Sequence, residues 1–390
     1  MKIALIAGEA SGDRLGAALM RGFADLGVTP AYCGIGGTSM QAEGLQSLFN
    51  MDELSVMGLA EILPKYRHLV RRIDETARFV VAQQPDLLIT IDSPDFCHRV
   101  ARRVREQAPD IRIVHYVAPS VWAWRKGRAR KMAGHVDQVL ALLPFEPPYM
   151  QAAGIDCDFV GHPITTDPVA GPDDIAGFRQ LHDLGDAPIL LVLPGSRKNE
   201  VTRLTPVFGQ AVAQLMASHP DLKVVLPTTA NVAPVVRQLT ADWPVDPLIL
   251  DPSNQPVAQA DQTKRAAFAA ADLALAASGT VSLELAAART PMVIAYDMNW
   301  LSWQILSRMV SLSTVTLVNL VTGRNVIPEF LGPRCSADLI SNALSNLMSD
   351  PETMAEQHKA MESCMQSLGA GGEPPGRRAA RAILDRLPTV

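Results

Sequence analysis

Ile189-Leu190-Leu191-Val192-Leu193-Pro194-Gly195-Ser196-Arg197, near the middle of a 390-residue chain, reads as a buried strand running into a turn of small residues. Its five apolar residues show no alternation. Both faces of such a strand are covered, as in a parallel sheet with helices on each side. A helix is expected to open just after the turn, near Asn199-Glu200. Working outward, the start of the chain has the same form. Ile3-Ala4-Leu5-Ile6-Ala7 is a strand, Gly8-Glu9-Ala10-Ser11-Gly12-Asp13 is the turn, and Leu15 to Leu26 is helical. Leu87–Ile91, Ile111–Val117 and Gln138–Leu143 add three strands to this first set. Lys223–Leu226, Leu248–Leu250, Leu273–Ala276 and Met292–Ala295 follow Ile189–Leu193 in a second set. Gly161-His162-Pro163 and an Asp-, Pro- and Gly-rich loop through Gly171-Pro172 separate the two. The expected fold is therefore α/β, with two Rossmann-like, doubly wound domains facing each other across a cleft. The first domain is placed at 1–164 and the second at 165–345. Residues 346–390 read as a helical tail, broken at Gly369–Gly376 and packing back on an N-terminal domain.

Composition narrows the function. Hydrophobic residues make up 48% and charged residues 19%, the balance of a globular protein, which excludes disorder as the main state. Lys and Arg total 35 against 40 Asp and Glu, for a net charge of −5. A general nucleic-acid binder needs a basic stripe instead. No run free of charged residues offers the ~18–20 apolar positions of a membrane span. Ile3–Ala7 is too short for the ~7–15-residue core of a signal peptide, so a cytoplasmic location is expected. Five cysteines, an odd number without a Cys-x-x-Cys pair, fit reduced thiols.

The chemistry is sought where strands end, because ligands of doubly wound sheets bind there. In Gly8–Asp13, small residues admit a ligand to the backbone or simply cap the helix. Ile91-Asp92-Ser93-Pro94-Asp95-Phe96 places two carboxylates at a strand's carboxyl end. Asp92 is a candidate general base, or else caps a loop. His115 to Arg125 carries Trp122 and Trp124 beside Arg125, an arrangement suited to sugar faces and phosphates as well as to ordinary packing. Ser196 and Arg197 can cradle and neutralise a pyrophosphate. Ala277-Ser278-Gly279-Thr280 opens a second helix, with Glu284 one turn in, where it could accept both hydroxyls of a ribose. Two such loops in one domain suit a nucleoside diphosphate. Asp156-Cys157-Asp158 has the Asp-x-Asp spacing of metal-dependent glycosyl transfer but lies in the other domain, and no metal site is expected. No Gly-x-Ser-x-Gly elbow occurs. Leu54 to Ile73 has an apolar stripe with Lys65, Arg67, Arg71 and Arg72 between. It faces the core, or lies on an anionic membrane surface.

Taken together these segments resemble the lipid-A-disaccharide synthases. Ala7–Asp13, Met40–Gly44, Ser55–Gly58, Ile91–Phe96, His115–Val117 through Trp124-Arg125, Leu143–Glu146, Phe159–His162, Leu193–Arg197, Ala277–Thr280 with Glu284, and Pro291–Val293 carry the resemblance, in order, over about residues 5 to 330. It implies a GT-B glycosyltransferase fold, with the acceptor in the N-terminal domain and the nucleotide in the C-terminal one. It implies inverting transfer from UDP-2,3-diacylglucosamine to 2,3-diacylglucosamine 1-phosphate, without a cofactor. The implied catalytic residue is Asp92. The implied substrate-binding residues are Glu9, Ser11, Trp124, Ser196, Arg197, Ser278, Gly279, Thr280, Glu284 and Asn319. The chain departs from the family at Leu317-Val318-Asn319, where Leu-Pro-Asn is usual, and in its Gly/Pro-rich break at Gly369–Gly376. Acylated substrates imply a peripheral enzyme at the cytoplasmic face of the inner membrane, with Met57–Arg72 as its contact. The family also implies a homodimer that exchanges tails. UDP-sugar 2-epimerases, transferases adding N-acetylglucosamine to a lipid-linked precursor, and a non-catalytic nucleotide-sugar sensor share the expected architecture.

Overall fold

The computed structural model describes residues 1–54, 59–122, 127–298 and 314–387, with 59–66 as backbone. The chain divides into two compact units, Met1–Thr166 with Leu368–Val390, and Asp167–Ser367. In the first unit, β1 (Lys2–Ala7), β2 (Ala31–Ile35), β3 (Leu87–Ile91), β4 (Arg112–Tyr116), β5 (Gln138–Ala141) and β6 (Asp156–Phe159) form a parallel sheet in the order β2-β1-β3-β4-β5-β6. The helices between them are α1 (Ala10–Asp25), α2 (Thr38–Ala42), α3 (Leu59–Gln83), α4 (Pro94–Gln107), α5 (Gly127–Met132) and α6 (Pro147–Gln151). In the second unit, β7 (Ile189–Leu193), β8 (Lys223–Pro227), β9 (Leu248–Leu250), β10 (Leu273–Ala277), β11 (Met292–Tyr296) and β12 (Glu329–Leu331) are ordered β12-β11-β10-β7-β8-β9. Its connecting helices include α7 (Pro172–Leu181), α8 (Lys198–Ser218), α9 (Ala233–Thr240), α10 (Val257–Ala270) and α11 (Val281–Ala287).

The central strands are the ones the apolar runs predict. β3, β7 and β10 are buried at every position. Three strands carry no such run: β2, β6 and β12, which all lie at sheet edges. An edge strand has one neighbour and a partly solvated face, so its side chains are mixed. Ala31-Tyr32-Cys33-Gly34-Ile35 and Asp156-Cys157-Asp158-Phe159 show this, with exposed or half-buried positions among buried ones. The five cysteines are unpaired.

Local anchoring in the first unit starts at Asp13. Its carboxylate accepts hydrogen bonds from the Gly37, Ser39 and Met40 N–H groups at 2.8–3.0 Å, serving the start of α2 from a neighbouring helix. Asp156 and Asp158 have a structural duty too. Arg386 pairs with both, at 2.9 and 2.7 Å, and Gln138 Nε2 donates to Asp158 at 2.8 Å.

The stretch read from the sequence as one tail, 346–390, is shared. The helix Pro351–Ser367 lies in the second unit, while Pro375–Leu384 packs on α1 of the first. That packing is backbone against backbone. A Cβ at Gly376 would strike the Ala18 carbonyl, and one at Gly22 would strike the Gly376 carbonyl. Ala379, Ala380 and Ile383 are buried in the contact, and Arg378 donates to the Phe159 carbonyl at 3.2 Å. Gly376→Val should therefore push the last helix off α1. Overpacking of this kind costs about 1–3 kcal/mol. A lower melting temperature and faster proteolytic cleavage between Gly369 and Pro375 are expected, and a variant as resistant as wild type would refute the contact.

Candidate active site

Each sheet reverses its strand order at one point. In the first unit this is between β1 and β3, and in the second between β7 and β10. The loops leaving the two strands diverge to opposite sides there, which opens a crevice at their carboxyl ends. The four loops concerned carry Glu9 and Ser11, Asp92, Ser196 and Arg197, and Ser278 to Thr280.

In the first unit, Ala7 pairs with Ile91, so the residues that follow lie side by side. A Cβ on Gly8 would come within 2.5 Å of Ser93 Oγ, and only glycine lets the two turns pass. Asp92 and Ser93 both take left-handed backbone, with φ of 51° and 42°, and Val117 at the end of β4 has φ of 87°. Non-glycine residues held this way cost about 1–3 kcal/mol each and cluster where function demands a particular geometry. The Asp92 N–H donates to the Tyr116 carbonyl at 2.9 Å, tying the turn to β4. Burial raises the Asp92 pKa above its usual range, and the Ser93 N–H partly offsets it. Glu9, the N-cap of α1, and Ser11 in its first turn are exposed at the same end of the sheet. Gly12 keeps α1 close: a Cβ there would lie 3.4 Å from the Ile91 carbonyl. Glu9, Ser11 and Asp92 are thus brought together. Trp124 lies outside the described residues, as do Arg125 and Lys126.

Trp122, before that stretch, is held through its side chain. Its Nε1 donates to Glu146 Oε1 at 3.2 Å, and its ring meets Phe145 edge-on at 5.2 Å. Glu146 is 4% exposed, and its other oxygen accepts from Leu143 N–H at 3.0 Å. Burial pushes its pKa up to about 7, against the pull of those donors. Glu146 was quoted in the sequence reading without a role. Only its reach to a residue 24 positions away gives it one.

In the second unit, Gly195 has φ of 114°, and a Cβ there would meet Glu200 Oε2 at 2.6 Å. Glu200 caps the start of α8, accepting from Arg197 N–H at 3.4 Å and pairing with the Arg197 guanidinium at 3.2 Å. The Arg197 side chain is 78% exposed, so it can swing to a ligand. Ser196 is exposed, and its carbonyl accepts from Asn231 Nδ2 at 3.2 Å. Asn231 was missed by sequence reasoning, although Thr228-Thr229-Ala230-Asn231 after β8 is a polar strand-end loop like the others. Ser278 is half-buried, and Gly279 and Thr280 are exposed with open space where a Gly279 Cβ would be. Glu284, half-buried, is ion-paired with Lys264, whose ammonium lies 5.2 Å from the Phe268 ring centre.

Asn319 differs from the rest. It is 1% exposed. Its Nδ2 donates to Thr314 Oγ1, the Ile327 carbonyl and Glu329 Oε1, while its Oδ1 accepts from Val326 and Ile327 N–H. The amide shapes the 314–329 segment. In the Leu54–Ile73 stripe, residues 55–58 and the side chains of 59–66 lie outside the described residues. Arg72 pairs with Glu53 at 2.6 Å and Glu75 at 2.7 Å and stacks over Phe49, while Arg67 and Arg71 are exposed.

Solved structures share this architecture. A UDP-GlcNAc 2-epimerase from Neisseria meningitidis bound to UDP-GlcNAc matches with a TM-score of 0.64 over 99% of each chain, at 12% identity. The calicheamicin glycosyltransferase matches at 0.57 over 100% of this chain and 99% of that one, at 17% identity. At such identities the likeness is one of fold: two Rossmann-like units, the GT-B class of glycosyltransferases and epimerases. The family model described as Lipid-A-disaccharide synthetase matches residues 3–380. The chain is 59% identical over 388 residues to the lipid-A-disaccharide synthase of Ruegeria pomeroyi, covering 100% of this chain and 96% of the relative. It is 45% identical over 385 residues to that of Rhodospirillum centenum, covering 98% and 94%. The chain belongs to the lipid-A-disaccharide synthase family, and it is a glycosyltransferase of lipid A biosynthesis. Among the described residues no helix is long and apolar enough to cross a membrane.

The Glu146 geometry has a pH signature. Its folded-state pKa of about 7 lies above the ordinary 4.5, so between those values the folded chain holds the extra proton and stability falls as pH rises. Glu146→Gln abolishes that dependence, an effect on the order of 3 kcal/mol for a shift of this size. The melting temperature of the variant minus that of wild type should therefore increase from pH 5 to pH 8. A difference that stays flat would show Glu146 to be solvated.

Proposed function

We propose that this enzyme joins UDP-2,3-diacylglucosamine to 2,3-diacylglucosamine 1-phosphate, with inversion, giving the β-1,6-linked disaccharide 1-phosphate and UDP. The observation that supports it best is Asp92, a partly buried carboxylate on a strained turn at the strand reversal of the first unit, in a chain of this family. Asp92 accepts the proton of the acceptor's 6-hydroxyl as that oxygen bonds to the donor's anomeric carbon. The bond from that carbon to the β-phosphate oxygen breaks, and UDP leaves with the electron pair. A raised pKa makes Asp92 a stronger base than a solvated aspartate. Glu9 and Ser11, at the same sheet end, bind the acceptor sugar together with Trp124.

The donor's diphosphate lies against Ser196, Arg197 and the Ser278-Gly279-Thr280 turn, at the second unit's strand reversal. Arg197 exchanges Glu200 for the β-phosphate, where charge grows in the transition state. Glu284, steadied by Lys264, accepts the ribose hydroxyls. Asn319 acts by shaping the 314–329 segment. The enzyme works as a peripheral protein at the cytoplasmic face of the inner membrane, where its acylated substrates reside, with the exposed Arg67 and Arg71 toward anionic lipid. A homodimer exchanging Pro375–Leu384 preserves every contact of that helix with α1, and sedimentation velocity reads it.

Asp92→Asn should lower kcat by about 10²–10⁴ with the donor KM little changed. It should not lower the melting temperature, since it removes a desolvated charge and leaves a residue that tolerates left-handed backbone. The folded-state pKa of Asp92 is raised, so its ionisation costs stability above that pKa. Any stabilisation by Asn must therefore fade as pH falls. Turnover near wild type would remove Asp92 from the role of base. Arg197→Ala should weaken UDP binding about tenfold to hundredfold by calorimetry, as the loss of a charged hydrogen bond does. Unchanged affinity would place the diphosphate elsewhere.

A further inference from the structure

A cavity of about 190 Å³ lies beside the Asp92 turn, lined by Pro94, Asp95, His98, Arg99 and Arg102 of α4 and by Arg128, Lys131, Met132 and His135 of and after α5. At ~30 Å³ per water in the liquid, it has room for roughly six waters or one phosphate group with some of its hydration. Arg99 and Arg102 are three apart on one helix, and Arg128 and Lys131 three apart on the other, so two cationic rows meet across one space. Four permanent positive charges face the single carboxylate of Asp95. The ion pair recorded among them is a loose, exposed one, Arg102 with Glu106 at 3.8 Å. Like charges converging on a cavity repel one another, and an anion relieves that repulsion.

The inner wall points the same way. His98 meets His115 at a tilt of 43° with ring centres 4.5 Å apart, and meets His135 edge-on at 5.5 Å. His115 is fastened to Thr90 Oγ1 of β3 at 2.8 Å, so this row of imidazoles is anchored to the sheet. Both ring nitrogens of His98 and the Nε2 of His135 are buried without a hydrogen-bond partner. Burial lowers the pKa of His98 to about 4, with the charges of His135 and Arg128 adding to it and Asp95 opposing. A neutral imidazole there keeps one N–H to donate.

We propose that this cavity is a phosphate-monoester site, and that it seats the anomeric phosphate of the acceptor. The second part rests on the reaction given above. Asp92 and Pro94 are two residues apart, at most ~7 Å of chain. That is comparable to the span of a hexose from its 6-oxygen to its anomeric phosphate. An acceptor held at both ends is thereby oriented for attack, and the site selects acceptors that carry the phosphate. Neither the donor's diphosphate nor the catalytic carboxylate requires these side chains.

The test uses the full-length enzyme, with the acceptor as its 1-phosphate and as the same diacylated sugar lacking phosphate. Wild type should prefer the phosphorylated acceptor in kcat/KM by about tenfold to hundredfold, the size of a charged hydrogen bond. Arg99→Ala and Arg128→Ala should each cut that ratio, the pair should bring it near one, and Arg99→Lys should restore part of it. Arg130→Ala, exposed and outside the cavity, should leave the ratio alone. UDP affinity and melting temperature at wild-type values certify folding. A ratio unmoved in the double variant overturns the proposal. Loss of binding to phosphatidylglycerol vesicles with the ratio intact also overturns it, and assigns the cations to a membrane headgroup. If wild type turns over neither acceptor, the reaction itself fails. Inorganic phosphate should then still shift the His98 and His135 ring resonances in wild type and not in the double variant, and absence of that shift removes the anion site as well.

Discussion

Ser93 fills the space that any side chain at position 8 would need, and the rest of the first half-site depends on that close approach. It sets the ends of β1 and β3 in contact at the place where strand order reverses. Asp92 and Ser93 take left-handed backbone at this contact, and the hydrogen bond from Asp92 N–H to the end of β4 ties the turn down. A turn under this much steric constraint has one conformation available. A carboxylate on it is ordered before any ligand arrives, which is the physical content of preorganisation. The strain is offset by the sheet beneath, where β1 and β3 are almost wholly buried.

The second unit handles charge differently. The two ions proposed to meet the donor are held by partners on the same surface: Arg197 by Glu200, and Glu284 by Lys264. With Arg197 78% and Lys264 43% exposed, each pair keeps its cation near water, where ion pairs contribute little to stability. They keep each side chain near its station and prevent like charges from crowding the loop. The cavity between α4 and α5 shows the opposite arrangement, with cations converging and few acids to answer them.

The last helix ties the chain's end to its beginning. Arg386 answers both carboxylates of Asp156 and Asp158, and Gln138 spans from Asp158 to the Ala382 carbonyl. An Asp-x-Asp spacing that in isolation suggests a metal is here an edge strand's means of fastening a helix. The difference is invisible locally, because the arginine lies 228 residues away.

The amino-acid sequence by itself determined the two sheets and the loops where chemistry belongs. Apolar runs such as Leu87–Ile91, interrupted by Thr90 alone, and Ile189–Leu193 read as central parallel strands, and small or charged residues after them mark the carboxyl ends. It was silent on the edge strands β2, β6 and β12, whose mixed side chains carry no periodic signal, although it marked the fourth edge strand, β9. Tertiary structure alone decided which polar side chains hold the loops in place. Asp13, Glu146, Asn231 and Asn319 are polar residues of ordinary appearance, and each acquires its role from backbone groups or side chains on another segment. The left-handed turn at Asp92 and Ser93 packs against Gly8, more than eighty residues earlier. Local propensity reports on a residue's neighbours in the chain, whereas burial, strain and charge pairing depend on neighbours in space, and those are set only when the sheets close.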